Sequence, residues 1–116
     1  MDGEGKRKEM ISENVNLKIQ DSHTMEWRTS SFVDDIWVKD LGASDGYVMQ
    51  LVKFAPGASF PKHQHRRAEF MYILEGELLQ NDHKLSKGFV SISDPLSFDE
   101  SVLSPNGCLF LLLSAE

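Results

Sequence analysis

Three residues in the middle of the chain have the types and spacing to hold a divalent metal: His63, His65 and Glu69. The two histidines stand two apart in a run with strand-like flanks. A strand sends alternate side chains to one face, so both imidazoles can point at one spot. A turn through Arg66, Arg67 and Ala68 then brings Glu69 in on the next strand. Two neutral ring nitrogens and a carboxylate from adjacent strands suit one divalent transition metal, Fe, Mn, Ni or Zn. Such a facial set leaves coordination positions open for a small-molecule substrate and dioxygen or water.

The elements that must position these residues read as short strands. Val15–Ile19 alternates apolar and polar residues strictly, and Met25–Thr29 around Trp27 is a second candidate. Ile36–Val38 is a third, closed by Gly42 and by Asp45-Gly46, a dipeptide that favours a tight hairpin turn. Tyr47–Phe54 is β-rich and ends at the turn dipeptide Pro56-Gly57. Phe70–Leu74 is strongly apolar and is expected to break at Gly76, with Glu77–Gln80 returning towards a turn at Asn81-Asp82. Phe89–Ile92, Ser101–Leu103 and Cys108–Leu113 complete the set, punctuated by Asp94-Pro95 and Pro105-Asn106-Gly107. No segment sustains helical periodicity over ten residues, so the fold class is all-β, a barrel or sandwich. The last strand is apolar on both faces: one face packs in the barrel, the other against a neighbouring copy or the chain's own N-terminal strands.

A chain of 116 residues supports a single domain. Residues 1–14 read as a charged, mobile tail and 15–116 as the domain. With 12 basic and 18 acidic residues the formal net charge is -6, which disfavours nucleic acid and anionic membrane surfaces as partners. The N-terminus lacks the apolar core of a secretory signal, and the longest apolar run, Cys108–Leu113, is too short to span a bilayer. The lone Cys108 forms no intrachain disulfide, so a cytoplasmic location is the default expectation.

The spacing Gly57, five residues, His63, one, His65, three, Glu69, six, Gly76 resembles the first motif of the cupin superfamily (RmlC-like). The resemblance runs from about Trp27 to Leu113. It is closest to the zinc-dependent anti-sigma-factor (ChrR-type) cupin domain and its stand-alone relatives. The phrases that carry it are Phe54–Pro61 leading into His63, Ile73–Gly76, Gly88, Asp94-Pro95 and Asn106-Gly107-Cys108. It implies a small double-stranded β-helix, a jelly-roll barrel with a metal in its mouth, usually a homodimer. Relatives include dioxygenases of small diketones, sugar isomerases and epimerases, and non-enzymatic sensors. The second cupin motif normally ends on a ligand histidine, and here no histidine follows Pro95. Counting five residues on from Pro95, or back from Gly107-Cys108, lands on Glu100. Glu100 is therefore expected as a fourth ligand, against the alternative of a solvent-facing rim residue. Its neighbour Asp99 would face the opposite way in a regular strand.

Other residues carry weaker signals. Arg66 and Arg67 either anchor an anionic substrate or form a solvated turn. His23 and His83 read as exposed, Cys108 as a buried structural thiol, and Tyr47 or Tyr72 as a proton donor if either faces a pocket. Three functions remain open: a metal-dependent enzyme, with iron an Fe(II) dioxygenase of dicarbonyl-type compounds; a non-enzymatic metal- or ligand-binding sensory module; and a barrel that no longer binds metal.

Overall fold

The computed structural model describes residues 17–115. The expected tail, with Val15 and Asn16 of the first expected strand, lies outside the described residues. Eleven strands follow in order: β1 Arg28–Thr29, β2 Ile36–Ser44, β3 Tyr47–Phe54, β4 Ala58–Phe60, β5 His63–Gln64, β6 Glu69–Gln80, β7 His83–Ser86, β8 Val90–Ser93, β9 Phe98–Asp99, β10 Val102–Ser104 and β11 Cys108–Ala115. The helical structure among the described residues is one 3-10 turn, Ser22–Thr24. No helix among them is long and apolar enough to cross a membrane.

Turn chemistry sets the hairpins. Asp45 and Gly46 both take positive φ (54° and 81°), the conformation of the two-residue turn that matches strand twist, and they join β2 to β3. Asn81 and Asp82 (49° and 68°) do the same between β6 and β7. Pro56-Gly57 closes a turn in which the Ala58 N–H donates to the Ala55 carbonyl at 3.0 Å. Gly57, at φ 83°, occupies the position where such a turn needs the left-handed region. All strand pairings are antiparallel, and the main order is β1-β2-β3-β11-β6-β10-β4, with β7 and β8 also paired to β6. The sheet curls around a core of Ile36, Val52, Phe54, Ala58, Met71, Ile73, Leu78, Leu85, Val102, Cys108 and Phe110. This is the expected all-β jelly-roll barrel.

The N-terminal expectations hold in part. Leu17–Ile19 forms no strand, and Leu17 and Ile19 are exposed, so local alternation finds no partner strand there. Of Met25–Thr29 only Arg28–Thr29 pairs. Trp27 is instead held by two cations, Lys39 Nζ and Lys53 Nζ, each 4.7 Å from its ring centre.

Gly76 does not end its strand. β6 continues through it, pairing β8 and β11 before the glycine and β7 and β10 after it. A register shift opposite Leu109 and Phe110 leaves Leu74 as the extra residue of a bulge, which bends the strand from one sheet into the other. Gly76 sits at φ 76° against the β11 backbone. A β-carbon there would collide with the Gly107 carbonyl oxygen and lie 2.8 Å from Cys108 Cα, both main-chain atoms that cannot swing aside. Gly46 shares the positive φ but has open space around it. Gly76→Ala is therefore expected to cost roughly 3 kcal/mol or to prevent folding, and Gly46→Ala about 1–2 kcal/mol. Urea unfolding of the two variants side by side checks the difference.

Candidate metal centre

The two short strands outside the main sheet build the site. β5 lies antiparallel to β9 with His63 opposite Asp99. Directly opposed residues send side chains to the same face, and His65, two along, shares it. The pairing is extended by the His65 N–H donating to the Ser97 carbonyl (2.8 Å) and the Leu96 N–H donating to the His65 carbonyl (2.6 Å). Leu96 takes φ 73° in the Asp94–Ser97 turn, a left-handed conformation that costs a leucine about 1–2 kcal/mol. The strain sits where the turn grips His65.

One nitrogen or carboxylate oxygen from each of His63, His65 and Asp99 lies within 4.8 Å of the other two. The His63 Nδ1 is 3.0 Å from the Pro61 carbonyl oxygen, which can only accept. Nδ1 therefore carries the proton, and Nε2, 3.5 Å from Asp99 Oδ2, presents a lone pair to the cluster. Phe60 packs edge-on against the His63 ring at 5.0 Å between centres.

The His65 side chain is only 1% exposed, with Asp99 Oδ1 3.2 Å from Nε2 and Glu69 Oε1 3.3 Å from Nδ1. Neither approach has hydrogen-bond direction, so both ring nitrogens are buried and unpartnered. Leaving such a group unsatisfied costs about 1–3 kcal/mol. Burial disfavours the imidazolium, but the Asp99 and Glu69 carboxylates outweigh it and raise the His65 pKa from its ordinary value. Two imidazoles and one carboxylate, with an orphaned nitrogen facing the third donor, fit a divalent metal of the kind that leaves coordination positions open.

Of the residues put forward from the sequence, His63 and His65 come together as expected. Glu69 stands on the Nδ1 side of His65, outside the three-residue cluster. Glu100 points away: its side chain is 62% exposed and lies 3.4 Å from Lys62 Nζ. Asp99 occupies the inward place. The count from Pro95 is one residue off because strand pairing, not loop length, sets the register here. Asn81 fixes that register, its Oδ1 accepting from the Glu100 N–H (2.6 Å) and Ser101 N–H (3.2 Å) while its Nδ2 donates to the Phe98 carbonyl (3.0 Å).

The remaining candidates fall outside the site. Tyr47 and Tyr72 are exposed on the outer sheet face and do not line the cavity described below. Arg66 and Arg67 are exposed at the bend before β6. His23 bonds Asp21, and His83 is exposed. Cys108 is buried, which pushes its thiol pKa up and makes it unreactive.

The cluster opens on a cavity of about 600 Å³, the size of typical small-molecule sites. Its walls include Ile36, Val52, Phe54, Phe60, Met71, Phe110 and Leu112, with Glu69 also lining it. Arg28 and Gln50 add polar groups, both tied to Asp40: Arg28 at 2.7 and 3.0 Å, Gln50 at 2.8 Å.

Residues 16–114 match the family described as the ChrR Cupin-like domain. The chain belongs to this cupin family. Among curated proteins none matches it. The cupin is similar in structure to an RmlC-like cupin from Shewanella frigidimarina NCIMB 400, with TM-score 0.74 and 18% identity over 86% of this chain and 91% of that one. An acetylacetone dioxygenase from Acinetobacter johnsonii gives 0.70 and 15% over 85% and 72%. The complex of Rhodobacter sphaeroides SigE with the anti-sigma ChrR gives 0.67 and 18% over 90% and 55%. These likenesses show the fold.

The geometry separates the two neighbouring carboxylates. Asp99→Ala is expected to weaken Zn(II) uptake by more than about a hundredfold, beyond the loss typical of an outer-shell partner, while Glu100→Ala stays within about threefold of the parent. Competition against a chelating dye checks both.

Proposed function

We propose that this cupin is a metal-dependent enzyme acting on a small, largely apolar organic molecule, with His63, His65 and Asp99 holding one divalent metal. The observation that carries the reading is a buried, unpartnered His65 beside His63 and Asp99, which themselves line an apolar cavity. Bound as Fe(II), the metal supplies Lewis acidity and a redox centre suited to cleaving a dicarbonyl-type compound with dioxygen; the likeness to an acetylacetone dioxygenase supports that choice. The chain's own residues do the rest. Glu69 faces the Nδ1 side of His65 at 3.3 Å and places a negative charge beside its ring. Because it also lines the cavity, Glu69 is the carboxylate available to accept a proton from an enolisable ligand. The aromatic and aliphatic walls exclude water. Arg28, its charge balanced by the Asp40 carboxylate, and Gln50 offer hydrogen-bonding groups to the ligand.

A non-enzymatic sensory module is the second reading, favoured by the ChrR family match and the SigE–ChrR likeness. Protein purified without chelator is expected to carry close to one divalent ion per chain, lost in His65→Ala. After anaerobic Fe(II) loading, oxygen uptake is expected with a β-diketone such as acetylacetone or benzoylacetone. Failure to take up Fe, Mn, Ni or Zn overturns the metal site. A loaded protein inert across a diketone and catechol panel favours the sensory module.

A homodimer is part of the same proposal. β11 is paired on both edges, and its outer residues Leu111 and Leu113 adjoin exposed Met49, Phe70, Tyr72, Val90 and Ile92 on neighbouring strands. Opposed pairs such as Phe70–Ile92 and Tyr72–Val90 make this one continuous apolar face. Such a face exceeds the scattered apolar exposure normal for a monomer. Light scattering after gel filtration should give the mass of two chains, and Phe70→Lys with Ile92→Lys should give one.

A further inference from the structure

Asp99 is held by more than its strand. Its Oδ1 accepts a hydrogen bond from Gln80 Nε2 at 2.9 Å, and Gln80 Oε1 in turn accepts from the Ser91 hydroxyl. Asp99 and Gln80 are buried, at 5% and 8% exposure. The direction of this chain follows from chemistry. An ionised carboxylate can only accept, so the amide nitrogen must face Asp99 and the amide oxygen must face Ser91, whose hydroxyl then donates. Ser91 thereby fixes which end of the Gln80 amide meets the carboxylate. The three residues come from different elements: Gln80 closes β6, Ser91 lies in β8 and Asp99 in β9. In the same hairpin Asn81 holds the main chain of residues 98–101. Adjacent residues thus control the backbone and the side chain of the third donor separately.

We propose that Gln80 and Ser91 are positioning residues for a metal ligand: together they hold the Asp99 carboxylate in its inward orientation beside His63 and His65. The inference rests on the reading of Asp99 as a ligand. Only one carboxylate oxygen is occupied by Gln80, so Asp99 keeps lone pairs for the metal. Without the amide the carboxylate loses its one directed hydrogen bond. It is then free to rotate away from the two imidazoles. Outer partners of this kind are typically worth about 10- to 100-fold in metal affinity.

The test uses the full chain and two probe metals, Zn(II) by chelator competition and Co(II) by its visible absorption. Gln80→Leu keeps the apolar volume and removes the donor. It is expected to weaken Zn(II) binding about 10- to 100-fold and to change the Co(II) spectrum. Ser91→Ala is expected to act in the same direction more weakly. In an Asp99→Ala background, Gln80→Leu should add no further loss, because its effect runs through Asp99. Urea unfolding of the metal-free variants checks that they fold. Should Gln80→Leu not fold, Ser91→Ala decides, and parent affinity in that variant overturns the proposal. A folded Gln80→Leu within about threefold of the parent overturns it, as do losses that simply add in the double variant. Full affinity in Asp99→Ala would instead remove the ligand reading beneath it.

Discussion

β6 has to bring both of its ends to one place. Glu69, its first residue, lies 3.3 Å from His65, and Gln80, its last, lies 2.9 Å from Asp99, while His65 and Asp99 are themselves 3.2 Å apart. Twelve residues of straight strand would span roughly 40 Å. The strand must therefore curl, and the bulge at Leu74 with the bend at Gly76 is where it turns from one sheet into the other. Gly76 is irreplaceable for a packing reason as well as a conformational one, since the β11 backbone occupies the space of a side chain. The cavity, the core and the convergence of donors all depend on that curl.

Burying the site creates a second constraint. An imidazole almost fully removed from water, flanked by two carboxylates and without a directed hydrogen bond, is costly in an otherwise apolar barrel. The surrounding structure tolerates it because each neighbour is over-determined. His63 is set by the Pro61 carbonyl and the edge of Phe60; Asp99 is set by Gln80, Ser91 and the Asn81 clamp; the His65 main chain is held by a strained leucine turn. Such concentration of polar satisfaction and backbone strain is unusual for a merely structural patch and usual where a site is preorganised.

The cavity chemistry is asymmetric. Donors suited to a metal gather at the end of β5 and β9, whereas the walls are largely aliphatic and aromatic. Arg28 is neutralised in place by Asp40, so the cavity offers hydrogen bonds without an unpaired cation. Uncharged ligands fit that balance better than strongly anionic ones.

How much of this was legible beforehand depends on the range of the interaction. Alternation and turn dipeptides act over a few residues, so β3, the Asp45-Gly46 and Asn81-Asp82 turns, and the facing of His63 with His65 could be read from the sequence alone. The same local logic correctly put neighbouring residues 99 and 100 on opposite faces. It could not say which of them faces inward, because that depends on β9 pairing with β5 and on Asn81, eighteen residues before Asp99, clamping the segment. Nor could it show that Gly76 bends a continuous strand, since the main chain it must avoid is that of Gly107 and Cys108, where β11 begins. Residue types and short-range spacing determined the chemistry available to this protein. Long-range strand register decided which carboxylate faces the two imidazoles, because a slip of one residue exchanges the buried face for the exposed one.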